Sequence, residues 1–130
     1  PGLEESAQRG ARLSAMDWLA ADQARAALSL HMTKFHRRYD LLLTPSVAVP
    51  ALRVGELVAD TTQKEWIDWS PFSYPFNLTR QPAASVPCGV TRAGLPIGLH
   101  IVGRMHDDAL VLRAARAYER ASPPPLCPLD

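Results

Sequence analysis

Apolar positions recur at helical spacing before residue 40 and at strand-like spacing after it. Leu28, Met32, Phe35 and Tyr39 stand at i, i+4, i+7 and i+11, one stripe of an alanine-rich helix. Ser14 followed by Asp17 forms a capping-box pattern at its start, and Lys34, Arg37 and Arg38 crowd its last turns, where cations suit the helix dipole. The helix is therefore predicted from about Ser14 to Tyr39. The thirteen residues before Ser14 are polar and weakly patterned. Asp40-Leu41-Leu42-Leu43-Thr44-Pro45 is a short apolar run closed by Thr-Pro, which predicts a strand buried on both faces.

Proline and glycine punctuate residues 46–60, a predicted loop, and residues 61–69 leave room for a helical turn. Ser70-Pro71 is a helix start, a capping residue before proline, and predicts a short helix to about Arg80, made irregular by Pro75. Residues 84–91 and 97–103 read as two strands. Arg92-Ala93-Gly94-Leu95-Pro96 between them has the length and the glycine of a hairpin turn. Pro87 inside the first strand requires an edge or a bulge, and Ile97, Leu99 and Ile101 share one face of the second. Asp107 and Asp108 precede a last helix over 109–121, with Leu110, Ala114, Tyr118 and Ala121 along one side. Ser122-Pro123-Pro124-Pro125 ends it, and 122–130 is expected to be a loose Pro-rich tail.

The order helix, strand, short helix, two strands, helix predicts an α/β piece: a partial mixed sheet with flanking helices. So few strands cover only part of a large sheet, and the long apolar helix needs a surface to pack on. The opening PGLEESAQRG carries acidic residues and no apolar core of a signal peptide, and reads as lying inside a longer protein.

Composition narrows the function classes. The 130 residues are 47% hydrophobic and 21% charged, near globular averages. A formal net charge of +1, with the arginines scattered, argues against nucleic acid or an anionic membrane as partner. No apolar run approaches the roughly 20 residues that cross a bilayer. Cys88 and Cys127 form no CxxC pair or disulfide framework, so a cytoplasmic location is the default expectation.

Candidate chemistry is sparse. His31 and His36 are five residues apart, about 500° around a helix, so they share no face, and no carboxylate spacing completes a metal site with them, His100 or His106. No metal or other cofactor is expected. Cys88 with His100 as base is one nucleophilic alternative, set against Cys88 as a small buried hydrophobe. Asp107-Asp108 reads as a cap before it reads as a carboxylate pair. The stretch holding Trp66, Trp69, Phe72, Tyr74 and Phe76 suits either a small-molecule pocket or packing on the sheet. Asn77, the only asparagine, fits a loop or a ligand contact equally.

The run Tyr74-Pro75-Phe76-Asn77-Leu78-Thr79-Arg80-Gln81-Pro82-Ala83-Ala84-Ser85-Val86-Pro87-Cys88-Gly89 resembles the C-terminal motif of amidase signature enzymes. Gly94-Leu95-Pro96-Ile97-Gly98-Leu99-His100-Ile101-Val102-Gly103-Arg104, the Asp107-Asp108 pair with Leu110, Val111 and Leu112, Tyr39 to Pro45, and Leu13 to Trp18 continue the likeness in order over nearly the whole chain. Two positions depart from the family: Arg80 stands where glycine is usual and His100 where glutamine is usual. Arg80 would bring a cation beside the pocket or force a local shift.

The resemblance implies an amide hydrolase with a Ser–Ser–Lys triad. The chain lacks the Gly/Ser-rich stretch that carries the triad, and Lys34 and Lys64, its only lysines, match no catalytic position. No catalytic residue is therefore assigned. Residues 1–121 would be the C-terminal segment of the family domain, completing its sheet and lending pocket wall through Phe72, Tyr74, Phe76, Asn77 and Thr79. The expected partners are a small-molecule amide, the missing N-terminal part of the enzyme and a second copy through open sheet edges. Were the parent the amide-hydrolysing component of a glutamyl-tRNA amidotransferase, the other components and tRNA would join them. The isolated chain is expected to be inactive. A non-catalytic binding module with the same fold is the alternative.

Overall fold

The computed structural model describes residues 2–56 and 66–123. Helix α1, Gly2–Gly10, falls in the stretch read as weakly patterned; Glu4 and Glu5 in its first turn and Arg9 in its last complement the helix dipole, and none of its residues is buried. Helix α2, Ala15–Phe35, begins at the expected capping box: Ser14 Oγ accepts from the Asp17 N–H at 3.1 Å and the Asp17 carboxylate accepts from the Ser14 N–H at 2.9 Å. It ends four residues short of Tyr39. The His36 N–H bonds back to Met32 O and the Tyr39 N–H to Phe35 O, and the His36 ring N–H, on Nδ1, donates to Tyr39 O at 3.0 Å, which closes the chain into a turn.

Strand β1, Leu41–Pro45, is followed by a loop, a 3-10 turn at Trp66–Trp69 and helix α3, Tyr74–Thr79. Helix α3 starts later than Ser70-Pro71 suggested. Its N-cap is Ser73, and Pro75 sits in the first turn, where its missing N–H costs nothing, so the expected irregularity does not arise. Strands β2, Ala83–Val90, and β3, Pro96–Gly103, form the expected hairpin, closed by Thr91 N–H to Leu95 O at 2.8 Å with Gly94 at φ +80°. Helix α4, Asp108–Ala121, completes the described elements. Of the Pro-rich tail, residues 124–130 lie outside the described residues.

The sheet order is β1-β3-β2, and both pairings are antiparallel. The α/β class with flanking helices holds; the expectation of mixed pairing is not met among the described strands. The central strand explains the core. Ile101 and Val102 point to opposite faces, as successive strand residues must, and both are buried. Ile101 packs with Val86, Val111 and Ala115 under α4. Val102 packs with Met32 and Phe76 under α2 and α3. Burying each such side chain contributes about 1.5–3 kcal/mol.

This corrects the reading of β1. Among the described strands it is an edge, with Leu43 56% exposed, and the strand buried on both faces is β3, whose neighbours on each side cover it. Strand β2 is the other edge, and its register shifts between Pro87 and Gly89, so Pro87 meets both expectations at once. The buried stripe of α4 is also rotated from the expected one. Val111, Ala114, Ala115 and Tyr118, at i, i+3, i+4 and i+7, face the sheet, while Ala121 is exposed. Gly103 makes that approach feasible: a Cβ there would lie 2.5 Å from Val111 Cγ2. Asp107 holds the N-cap position of α4 without a side-chain cap bond, and its carboxylate instead takes the Arg104 guanidinium at 3.0 Å. No helix among the described residues is long and apolar enough to cross a membrane.

Candidate substrate-facing site

Antiparallel register builds a polar row on the sheet face that α2 and α3 partly cover. Thr44 and Ser85 lie on either side of His100, each directly opposite it, so the three side chains share one face. The Thr44 hydroxyl donates to Pro45 O at 3.0 Å, which leaves its oxygen to accept the Nδ1–H of His100 at 3.2 Å. The His100 ring is buried and lies 5.6 Å from the Phe76 ring, centroid to centroid. Burial strips hydration from the imidazolium and holds the pKa of His100 below its ordinary 6.5. Burial thus disfavours the charged form of His100, and the contact with Thr44 orients its ring.

Farther along the same face Ser46 Oγ and Ser85 Oγ share a hydrogen bond of 2.6 Å, and Ser73 Oγ donates to Ser46 O at 3.4 Å. Gly98 is the floor beneath the pair: an added Cβ would lie 2.5 Å from Ser46 Oγ and 2.9 Å from Ser85 Oγ. The result is an uncharged shelf of hydroxyls able both to donate and to accept, suited to a neutral polar group such as an amide. Sequence reading missed the Ser46–Ser85 pair. The two residues are 39 positions apart, and only the pairing of both edge strands with β3 joins them.

The five residues named as pocket wall separate into two sets. Phe76 is part of the core. Thr79, 1% exposed, donates its hydroxyl to Gln81 Oε1 at 2.8 Å, while Gln81 Nε2 donates to Gly103 O at 3.0 Å, so this pair clasps the corner between α3 and β2 to the end of β3. Tyr74 and Asn77 are exposed, and Phe72 is half-buried. Of the other aromatics, Trp69 is half-buried beside the loop after β1, and the side chain of Trp66 lies outside the described residues.

Arg80 caps α3 in the left-handed conformation, φ +60° and ψ +33°. Glycine takes that conformation without strain, which accounts for the glycine usual at this position in the resembled family. The chain here keeps the left-handed cap and accepts the strain of a side chain. The cysteine–histidine alternative finds no support. Cys88 is the bulged residue between Pro87 and Gly89, Pro87 is opposite Gly98, and His100 lies two residues farther, bonded to Thr44. His31 and His106 are exposed and His36 is buried. Among the described residues no cluster of three His, Cys, Asp or Glu side chains could hold a metal ion.

The Amidase family model matches residues 3–112. The chain belongs to the amidase signature family. It is 44% identical over 103 residues to the A component of the glutamyl-tRNA(Gln) amidotransferase of Myxococcus xanthus, an alignment covering 79% of this chain and 21% of that one. It is 34% identical over 126 residues to an acylamidase of Rhodococcus erythropolis, covering 93% and 26%. In three dimensions it superimposes on a bacterial aryl acylamidase of the amidase signature family with a TM-score of 0.83 and 32% identity, over 95% of this chain and 26% of that one. The chain therefore spans about a fifth to a quarter of the length of these amidase signature relatives.

Proposed function

We propose that this chain is the C-terminal segment of an amide-hydrolysing enzyme of the Ser–Ser–Lys type, supplying sheet scaffold and part of the substrate pocket. The observation that carries the reading is the coverage: nearly all of the chain aligns with about a quarter of an aryl acylamidase. The nucleophile, relay serine and lysine would come from the remaining three quarters. Two open edges of the described sheet, β1 and β2, offer places where that remainder continues it. The hydroxyl shelf of Thr44, Ser46 and Ser85 would face the pocket, with Tyr74 and Asn77 at its margin, Phe72 behind them, and Phe76 and Thr79 holding α3 from below. A small-molecule amide is the substrate class, and a cytoplasmic enzyme is the proposed setting.

Amide hydrolysis is to be measured with the 130-residue chain alone and mixed with the part of its parent that carries the catalytic residues. Activity in the mixture only is the expected result. Serine-dependent hydrolysis by the chain alone would overturn the division of labour. One observation favours a second reading, a non-catalytic docking module: Met16, Trp18 and Leu30 of α2 are exposed apolar residues. Silence of the mixture, with both parts folded and associated, would select it. The open edges also imply self-association of the isolated chain, which sedimentation over a range of concentrations would register as a mass that rises with concentration.

A further inference from the structure

We propose that the loop after β1 carries a subsite for a small ammonium ion with an apolar tail. The loop borders an open surface cavity of about 480 Å³, within the size range of small-molecule pockets. Val47, Val49, Pro50, Leu52 and Trp69 form its walls, and Glu56 is the one charged side chain among the described residues that line it. Two backbone bonds hold the walls. The Ala48 N–H donates to Trp69 O at 3.0 Å, which ties the loop to the end of the 3-10 turn. The Glu56 N–H donates to Arg53 O at 3.0 Å across a turn whose third residue, Gly55, has φ +90°, as a type II turn requires.

The three chemical elements select one kind of ligand. Aliphatic walls remove hydrocarbon from water. The indole of Trp69 offers a face that attracts cations. The Glu56 carboxylate supplies the opposite charge and accepts charge-assisted N–H bonds. An anion would meet Glu56 as a like charge, and a neutral hydrocarbon would make no use of the carboxylate. An alkyl or aralkyl primary ammonium uses all three. Hydrolysis of an amide breaks the C–N bond, adds hydroxyl to the acyl carbon and a proton to nitrogen, and the released aliphatic amine takes a second proton at neutral pH. Identifying the ligand as the amine half of a cleaved amide rests on the amidase reading; the binding itself does not.

The test is an NMR titration of the methyl-labelled 130-residue chain with benzylammonium, benzyl alcohol and phenylacetate, probes of similar size and different charge. Benzylammonium is expected to shift the methyls of Val47, Val49 and Leu52 and the Trp69 indole N–H, and to bind more tightly than the alcohol, with phenylacetate weakest. Glu56→Gln is expected to weaken benzylammonium about two- to fivefold, the scale of an exposed ion pair, and to leave the alcohol unchanged. Glu56 is exposed, so the substitution spares the fold. Phenylacetate binding as tightly as benzylammonium, an unaltered affinity in Glu56→Gln, or no shift at the cavity while Val86 and Val111 keep their dispersed signals would each overturn the subsite. A positive titration beside an inactive complemented enzyme would remove only the amidase reading.

Discussion

The two ends of the chain solve the same packing problem differently. In the C-terminal half, β3 lies between two strands and two layers of helix, and Ile101 and Val102 are buried on opposite faces of it. In the N-terminal half, α1 buries nothing and α2 buries only Met32, although Met16 and Trp18 are exposed and apolar. Both halves are well capped or well turned locally. What separates them is a partner: the hairpin is covered by α4 on one face and by Met32 of α2 and Phe76 of α3 on the other, whereas the first half of α2 extends past the sheet that its last turns cover. A helix that is apolar where nothing packs on it is an unfinished interface. The comparison teaches that the chain holds one packed core around β3 and a helix whose first half leaves apolar residues exposed.

The contrast can be broken most directly in the core. Phe76→Ala is expected to cost about 3–5 kcal/mol by urea denaturation, because the ring fills the layer between Met32 and Val102. Trp18→Ala in the same isolated chain is expected to move stability by less than about 0.5 kcal/mol. Equal effects would abolish the distinction between core and exposed helix. Gly103→Ala comes next, at about 1–3 kcal/mol, since its methyl would overlap Val111 where α4 meets β3. Arg80→Gly works in the opposite direction. Relief of the left-handed strain, less the entropy glycine adds to the unfolded chain, is expected to raise stability by about 1 kcal/mol, seen as a higher urea midpoint with unchanged slope.

The smallest effect concerns pH. The folded pKa of His100 lies below its ordinary 6.5, so the unfolded chain binds more protons near that value. The stability from neutral, buried His100 is complete above pH 6.5 and is lost as pH falls through 6.5 toward the lower folded pKa. His100→Gln should flatten that decline. Urea midpoints at pH 7.5 and pH 5 for the two proteins would show it, and parallel declines would show that other groups dominate.

Local signals were legible wherever one segment satisfied its own backbone. The Ser14–Asp17 box, the Gly94 turn and the irregularity at Pro87 were all readable from neighbouring residues, and all three are present. Sequence reading failed where a second segment decides. Leu41-Leu42-Leu43 looks like a strand covered on both faces, yet β1 is an edge of the described sheet, because burial depends on which strands lie alongside. The face of α4 was displaced because the closest approach is set by Gly103 on a different element. Aromatic composition left 66–76 open between a pocket and packing on the sheet; Phe76 went to the core, and the hydroxyl pair of Ser46 and Ser85 left no signal in either segment.

By itself, then, the sequence determined the α/β class, the hairpin and the start of α2, since these follow from short-range hydrogen bonding, turn conformation and apolar periodicity, and its linked motifs carried the family resemblance. Only the tertiary structure decided that β3 is central, that Arg80 adopts a glycine's conformation, that Ser46 meets Ser85, and that Trp69 faces a cavity with Glu56. Each of these is set by strand register and by how closely one surface approaches another. No pattern along a single segment contains that information.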